Sequence, residues 1–312
     1  MNLKRAFAPC SIGNVGPGFD VFGLALEGPG DEVEAVRIQK PGVRILMIEG
    51  DEGRLPKEAD KNTAGIAARE TLHLIRAKTG EEFGVELSLF KGLPLNSGLG
   101  SSAASAAAAA VAVNALAKVP LEKESLLGPC IEAESAVSGY HADNVAPSLL
   151  GGFLVIESMK PLRWSRIIPD FEIPLGIITP DLEVSTKSAR EVIPKLVDLP
   201  SVIEQLSSVS TMLCGLYEKD LLKLSRGIDD HIIEPARAEL VEGFAQVKIQ
   251  AMTGGALCFS LSGSGPTIFF TCADTNRVRK LLSTLKSYWG SMGVKATARE
   301  VRIDSDGARV LD

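Results

Sequence analysis

Residues 94–105 read Pro-Leu-Asn-Ser-Gly-Leu-Gly-Ser-Ser-Ala-Ala-Ser. Gly98 and Gly100 let the backbone turn its N–H groups inward with no Cβ in the way. A helix starting directly after them presents free N–H groups and the positive end of its dipole to an anion. Ser101 and Ser102 add hydroxyls that can reach phosphate oxygens or a hard cation. Ala103 and Ala104 let the helix start pack tightly beneath the loop. The stretch Pro94, Leu95, Asn96, Ser97, Gly98, Leu99, Gly100, Ser101, Ser102, Ala103 and Ala104 is therefore a candidate cradle for nucleotide phosphates, the plain alternative being a serine-capped helix after a glycine turn. The Walker pattern GxxxxGK[ST] is absent. Gly98, Gly100 and Ala103 satisfy G-x-G-x-x-A, but a dinucleotide fold needs a strand immediately before it and an acidic strand end about 20 residues on. Here a proline-containing loop precedes the glycines and residues 121–127 continue as helix, which excludes a nicotinamide site.

Two other glycine-rich segments flank this one in the chain. Residues 8–20 (APCSIGNVGPGFD) form a bend between apolar runs, with the polar Asn14 and Asp20. Residues 254–267 (GGALCFSLSGSGPT) put a glycine loop between two strands. Each alone reads as a turn. Further candidates are polar residues in unusual settings. His141, one of three histidines, lies with Asn144 in GYHADNVAP after a predicted helix that carries Glu132 and Glu134. Ser185, Thr186 and Arg190 sit at one predicted helix start, and Arg237 at another, after Glu234 and Pro235.

Taken together and in this order, the three segments resemble the motifs of the GHMP small-molecule kinases, and SIGNVGPGFD resembles the version found in the homoserine kinases. The resemblance runs over essentially the whole chain. It implies a two-domain α+β fold: an N-terminal domain like ribosomal protein S5 and a C-terminal ferredoxin-like domain. It implies ATP and Mg2+ as cofactors, L-homoserine as substrate, a place in threonine biosynthesis, a cytoplasmic setting and a homodimer. Residue by residue, it carries PLNSGLGSSAAS and Asn62 to the nucleotide, with Ser102 and Glu134 to the metal and Glu132 as the alternative. Asn14, Asp20, His141, Asn144, Thr186 (or its neighbour Ser185), Arg190, Arg237 and Gly263 go to the acceptor. In that scheme Asp20 holds an ammonium and the two arginines fork onto a carboxylate. That pairing selects an α-amino acid over a sugar or mevalonate. Asn14 orients the attacking hydroxyl, and Ser101 and Ser102 help neutralise charge. Residues 8–20 contain no lysine, and no general base stands out, so the hydroxyl proton passes to phosphate or water.

The elements that must position these residues are legible from periodicity. Residues 32–39 and 43–49 read as strands, and 63–78 as a helix capped by Asn62 or Thr63 and stopped at Gly80. A strand at 85–89 precedes the phosphate loop, and helices follow at 101–118 and 121–139. After a strand at 151–156, prolines 161, 169 and 174 mark a change of domain, drawn as 1–165 and 166–312. The second half reads as strand 175–179, helices 185–194, 200–215, 218–227 and 235–251, strands 256–261 and 267–272, helix 274–290 and strand 294–303. This order suggests helices on one face of an antiparallel sheet.

Composition sets the outer limits. The 312 residues are 45% hydrophobic and 23% charged, as expected of a globular chain. A net charge of −6 provides no basic field for nucleic acid. The longest apolar run, Ala103 to Ala117, falls short of the roughly 20 residues that span a bilayer, and the apolar part of the N-terminus is too short for a signal peptide. Five cysteines without a CxxC suggest neither a disulfide framework nor a zinc ribbon; reduced thiols fit best.

Overall fold

The computed structural model describes residues 2–311. β1 (Leu3–Gly13) and the long β2 (Phe22–Ile38) pair antiparallel, with Phe7 opposite Glu32. β3 (Gly42–Glu49) is followed by α1 (Thr63–Thr79) and β4 (Gly84–Phe90). β4 enters between β2 and β3, antiparallel to the first and parallel to the second. A parallel pair needs a crossover, and α1 supplies it. Asn62 caps α1, its Oδ1 accepting from the Ala64 N–H at 3.0 Å, and Gly80 ends it at φ 74°.

α2 (Ser101–Asn114) lies against α1, β1 and β2, and every residue from Ala103 to Asn114 is buried. Its alanines give it no polar face, because it has no exposed side beyond its first turn. α3 (Leu127–Ser135), α4 (Val145–Leu150), β5 (Phe153–Met159) and β6 (Leu162–Ile167) follow. β5 pairs with β2, and β6 with β5.

The chain then crosses to a four-stranded sheet. β7 (Leu175–Pro180) leads to α5 (Thr186–Glu191), α6 (Leu199–Glu218), α7 (Leu221–Gly227), α8 (Ile233–Ala238) and α9 (Phe244–Thr253). β8 (Ala256–Leu261), β9 (Ile268–Cys272), α10 (Thr275–Ser291) and β10 (Ala296–Val301) complete it in the order β10-β7-β9-β8, antiparallel throughout. β11 (Arg309–Leu311) returns to pair with β1.

Several details differ from the sequence expectations. Helices lie on both faces of the second sheet. Ile178, Phe259, Phe270 and Leu285 share a core with α9 and α10, whereas Ile177, Cys258 and Phe269 point into the larger core with Met212 and Leu224 of α6 and α7. Strands buried on both faces read as continuous apolar runs, as β7 and β9 do. The single helix expected at 235–251 is two, because Gly243 turns at φ 78° between α8 and α9. The helix expected at 121–139 is a 3-10 turn (Lys123–Leu126) followed by α3. The expected change of domain between residues 165 and 166 falls within β6, and α4 and β11 had no sequence counterpart.

Candidate active site

The three glycine loops meet. The Gly263 N–H donates to the Gly13 carbonyl at 3.1 Å, and Asn14 Nδ2 donates to the Gly263 carbonyl at 3.2 Å. Ser262 Oγ donates to the Gly98 carbonyl at 2.6 Å, and the Thr267 N–H to the Ser97 carbonyl at 3.1 Å. Gly98 sits at φ 78°, and a Cβ there would lie 2.5 Å from the Ser262 carbonyl oxygen, so this crossing admits glycine alone. Between the loops lies a cleft of about 490 Å3, lined by parts of all three.

One end of the cleft gathers polar groups without partners among the described residues. α2 opens at Gly100 (φ 65°) with no side chain capping its first N–H groups. Ser101 Oγ is buried and has no hydrogen-bond partner among the described residues. Ser102 Oγ donates to Glu134 Oε1 at 3.0 Å, while Glu134 Oε2 is buried and unpartnered. A carboxylate oxygen beside a hydroxyl, with a lone pair left over in a buried position, is a donor set that fits a hard divalent cation. Glu132 is exposed and does not line the cleft. Below the loop, Lys91 Nζ is buried against Asp31 and bonds Ser105 Oγ at 2.7 Å and the Ser101 carbonyl at 3.0 Å. Asp31 also accepts from the Gly92 and Leu93 N–H groups and from Ser105 Oγ. This network fixes the first turn of α2 from beneath.

The other end carries opposite charges. Arg190 NH2 and NH1 donate to the two Asp20 oxygens at 2.8 and 3.1 Å, and Arg190 Nε is buried without a partner. Arg237 is buried, donating through Nε to the Ala189 carbonyl at 3.1 Å and through NH1 to the Gly263 carbonyl at 2.8 Å. Burial, then the neighbouring Arg190, push the Arg237 pKa below its ordinary value. The Asn14 amide bridges, taking the Asp20 N–H at 3.2 Å while holding Gly263.

His141 has two acceptors, Asp143 Oδ1 at 2.7 Å and the Ser138 carbonyl at 3.1 Å. Both ring nitrogens must therefore carry a proton. Burial disfavours this imidazolium, but the Asp143 carboxylate, helped by Asp20 and opposed by Arg190, raises the pKa to about 9. A ring protonated on both sides is no general base at neutral pH. Because the folded pKa exceeds the ordinary histidine value of about 6.5, the stabilisation is complete below that pH and fades as the pH climbs toward 9. Urea unfolding at pH 6, 7.5 and 9.5 is expected to show the chain losing its stability advantage over His141→Gln across this window. Parallel curves for the two proteins would contradict it.

Of the residues singled out in the sequence, Asn14, Asp20, Asn62, Ser101, Ser102, Glu134, His141, Asn144, Thr186, Arg190, Arg237 and Gly263 all line the cleft, as do Leu95 to Gly98 and Gly100. Pro94, Leu99, Ala103 and Ala104 do not. Leu99 and the two alanines are buried under the loop, and the Pro94 carbonyl accepts from Ser97 Oγ at 2.8 Å. Their part is to shape the loop. The Asn62 amide caps α1 through Oδ1 and donates through Nδ2 to the Pro56 carbonyl at 2.9 Å. Sequence reasoning missed Lys91 and Asp31, and quoted Ser105 and Asp143 within their motifs without giving either a role of its own.

Comparison with known proteins agrees with this geometry. The family description "GHMP kinases N terminal domain" matches residues 66–152, and "GHMP kinases C terminal" matches residues 212–291. A homoserine kinase of Chlorobium phaeobacteroides (strain BS1) is 42% identical over 276 residues, covering 86% of each chain. One from Chlorobium phaeovibrioides (strain DSM 265 / 1930) is 38% identical over 326 residues and covers both chains completely. The chain belongs to the homoserine kinase family. The crystal structure of homoserine kinase from Cytophaga hutchinsonii superposes with a TM-score of 0.95 at 39% identity, over 100% of this chain and 98% of that one. The α+β architecture of two packed sheets with their helices is thus that of the GHMP kinases, and the glycine loops that meet at Gly98 and Gly263 are features of a homoserine kinase family member.

Proposed function

We propose that this chain transfers the γ-phosphoryl group of ATP to the side-chain hydroxyl of L-homoserine, giving O-phospho-L-homoserine and ADP, a step of threonine biosynthesis. The observation that carries the reading is the pairing of opposite charges, Asp20 against Arg190 and Arg237, in the same cleft as an open helix N-terminus. A zwitterionic amino acid replaces the resting Asp20–Arg190 pair with two equivalent ones, its ammonium on Asp20 and its carboxylate on Arg190 and Arg237. A neutral sugar offers neither charge, and mevalonate offers a carboxylate but no ammonium for Asp20. ADP release from ATP and Mg2+ tests this across L-homoserine, D-homoserine, L-serine, mevalonate and galactose. Turnover of L-homoserine above the others is expected; turnover of mevalonate or galactose in its place would overturn the substrate.

In the reaction the homoserine hydroxyl oxygen forms the new bond to phosphorus and the bond from the γ-phosphorus to ADP breaks. Asn14 and Asn144 line the acceptor end and orient the hydroxyl. The first N–H groups of α2 and the hydroxyls of Ser101 and Ser102 stabilise negative charge on the phosphoryl oxygens. Ser102 and Glu134 would hold Mg2+, which would neutralise phosphate charge. The three carboxylates lining the cleft are committed: Asp20 to Arg190 at rest and to the ammonium once substrate binds, Asp143 to His141, and Glu134 to Ser102 and the cation. The hydroxyl proton therefore leaves to the phosphoryl group or to water, and catalysis rests on positioning and charge. Asn62 and Leu95 wall the nucleotide.

The wider setting follows the same reading. We place the division between the nucleotide and acceptor halves in the segment 168–174 between β6 and β7. Among the described residues no helix is long and apolar enough to cross a membrane. All five cysteines are unpaired, and burial pushes the Cys10 thiol up to about 12, which supports a reducing cytoplasmic setting.

The homodimer is supported by α6. Leu199, Ile203, Leu206 and Tyr217 form one stripe at helical spacing and are 58–89% exposed. Beside the C-terminal half of the stripe lies a hollow lined by Ser207, Ser210, Cys214, Lys223 and Arg226. A two-fold axis beside α6 would bury this apolar stripe against its counterpart in a second copy. Ile203→Glu with Leu206→Glu is expected to convert dimer to monomer in sedimentation equilibrium. A doubly substituted chain that still dimerises would exclude this face.

A further inference from the structure

The acceptor end holds two guanidinium groups, and among the described residues only Arg190 has a carboxylate within ion-pair distance, Asp143 and Asp230 acting on Arg237 from farther off. Among the described residues Arg190 hydrogen-bonds Asp20 alone, and Arg237 hydrogen-bonds only the Ala189 and Gly263 carbonyls. One other group faces both. The Phe19 ring centroid lies 5.4 Å from the Arg190 guanidinium carbon and 5.1 Å from that of Arg237. The face of an aromatic ring carries partial negative charge and attracts a cation within about 6 Å.

We propose that Phe19 is a positioning residue: its ring sets the gap between Arg190 and Arg237 so that both meet one substrate carboxylate. The inference rests on reading this end of the cleft as an amino-acid site. Phe19 and Asp20 are consecutive, and one rigid turn presents both. The Gly18 N–H donates to the Asn14 carbonyl at 3.1 Å, the Asp20 N–H to Asn14 Oδ1 at 3.2 Å, and Asp20 takes φ 57°. Gly18 has no room for a side chain, since a Cβ would lie 2.0 Å from the Phe22 ring. The turn thus couples the partner of the ammonium to the platform for the carboxylate. When the substrate ammonium takes Asp20, Arg190 gives up its one anionic partner, and the ring keeps its guanidinium beside Arg237 until the carboxylate closes on both. A bidentate contact depends on that register.

Steady-state kinetics of the full chain with Mg2+ and ATP test this with Phe19→Leu, which keeps an apolar side chain without the π face, and Phe19→Tyr, which keeps the face. Phe19→Leu is expected to raise KM for L-homoserine about tenfold. Its kcat stays within about twofold, KM for ATP is unchanged, and the inhibition constant of 3-aminopropan-1-ol, which has the ammonium and hydroxyl but no carboxylate, is unchanged. Phe19→Tyr stays close to the unsubstituted chain. The proposal is overturned if KM for L-homoserine does not move, if the affinity for the carboxylate-free amine falls by the same factor, or if Phe19→Tyr is equally impaired. Absence of L-homoserine turnover by the unsubstituted chain would overturn the amino-acid reading itself, and this inference with it.

Discussion

Glu134→Gln is expected to lower kcat for L-homoserine phosphorylation by about 100- to 1000-fold, the scale on which removing one charge-stabilising group acts in a preorganised site. Glutamine keeps a carbonyl oxygen for the hydroxyls of Ser102 and Ser138, which both donate to Glu134 Oε1. It removes the negative charge that faces the cation, whose free oxygen is the buried, unpartnered Oε2. Since KM for L-homoserine is set at the far end of the cleft, it should change less than threefold, and the Mg2+ concentration for half-maximal rate should rise. Folding stability should hold or increase, because a buried carboxylate with no ion-pair partner is costly. A variant equally inactive but much less stable would assign Glu134 a structural part instead.

Asp20→Ala is expected to reduce kcat/KM for L-homoserine by about 30- to 700-fold, corresponding to about 2–4 kcal/mol for removing one partner of a hydrogen-bonded charge pair. Two losses combine. The substrate ammonium has no carboxylate, and Arg190 loses both of its charged hydrogen bonds. The pair is about one-third exposed, so solvent holds the loss below that of a fully buried pair. KM for ATP should be unaffected, since the phosphate end is built from α2, Lys91 and Glu134. A parallel loss of ATP affinity would mean that Asp20 supports the loop and not the substrate. Asp20→Asn should fall between the two, because an amide still accepts from Arg190 but holds an ammonium poorly.

The parts of the site that could be read in the sequence are those whose chemistry is local. A glycine loop before a small-residue helix declares itself within twelve residues, and the helix starts at Asn62 or Thr63 and at Ser185 were also legible; the structure makes Asn62 and Ser185 the caps, Ser185 accepting from the Ser188 N–H at 3.0 Å. Partnerships made by the fold could not be read. Lys91 meets Asp31 and Ser105 because β2, β4 and α2 cross there, and nothing near Lys91 in sequence marks it. The family resemblance alone assigned Asp20 and Arg190 to the substrate, and that they bind one another at rest, 170 residues apart, is a fact of packing. The same holds for secondary structure. Periodicity located α1, β4 and α10. It could not tell that Gly243 would break one apolar helical run into α8 and α9, or that three residues at the C-terminal end would find an edge beside β1. Spacing to His141 and Asn144 favoured Glu134 but left Glu132 as the alternative. Burial separates them: one faces solvent and the other faces Ser102.

The most direct test of the account is the identity of the phosphorylated product. The chain, ATP, Mg2+ and L-homoserine would be followed by 31P NMR with proton coupling. The account predicts that the γ-phosphate signal is lost as a phosphomonoester signal appears, split by the two protons of the side-chain methylene, with one ADP formed per ester. Conversion of the γ-phosphate to inorganic phosphate alone, or no reaction with L-homoserine while mevalonate or galactose is phosphorylated, would contradict it.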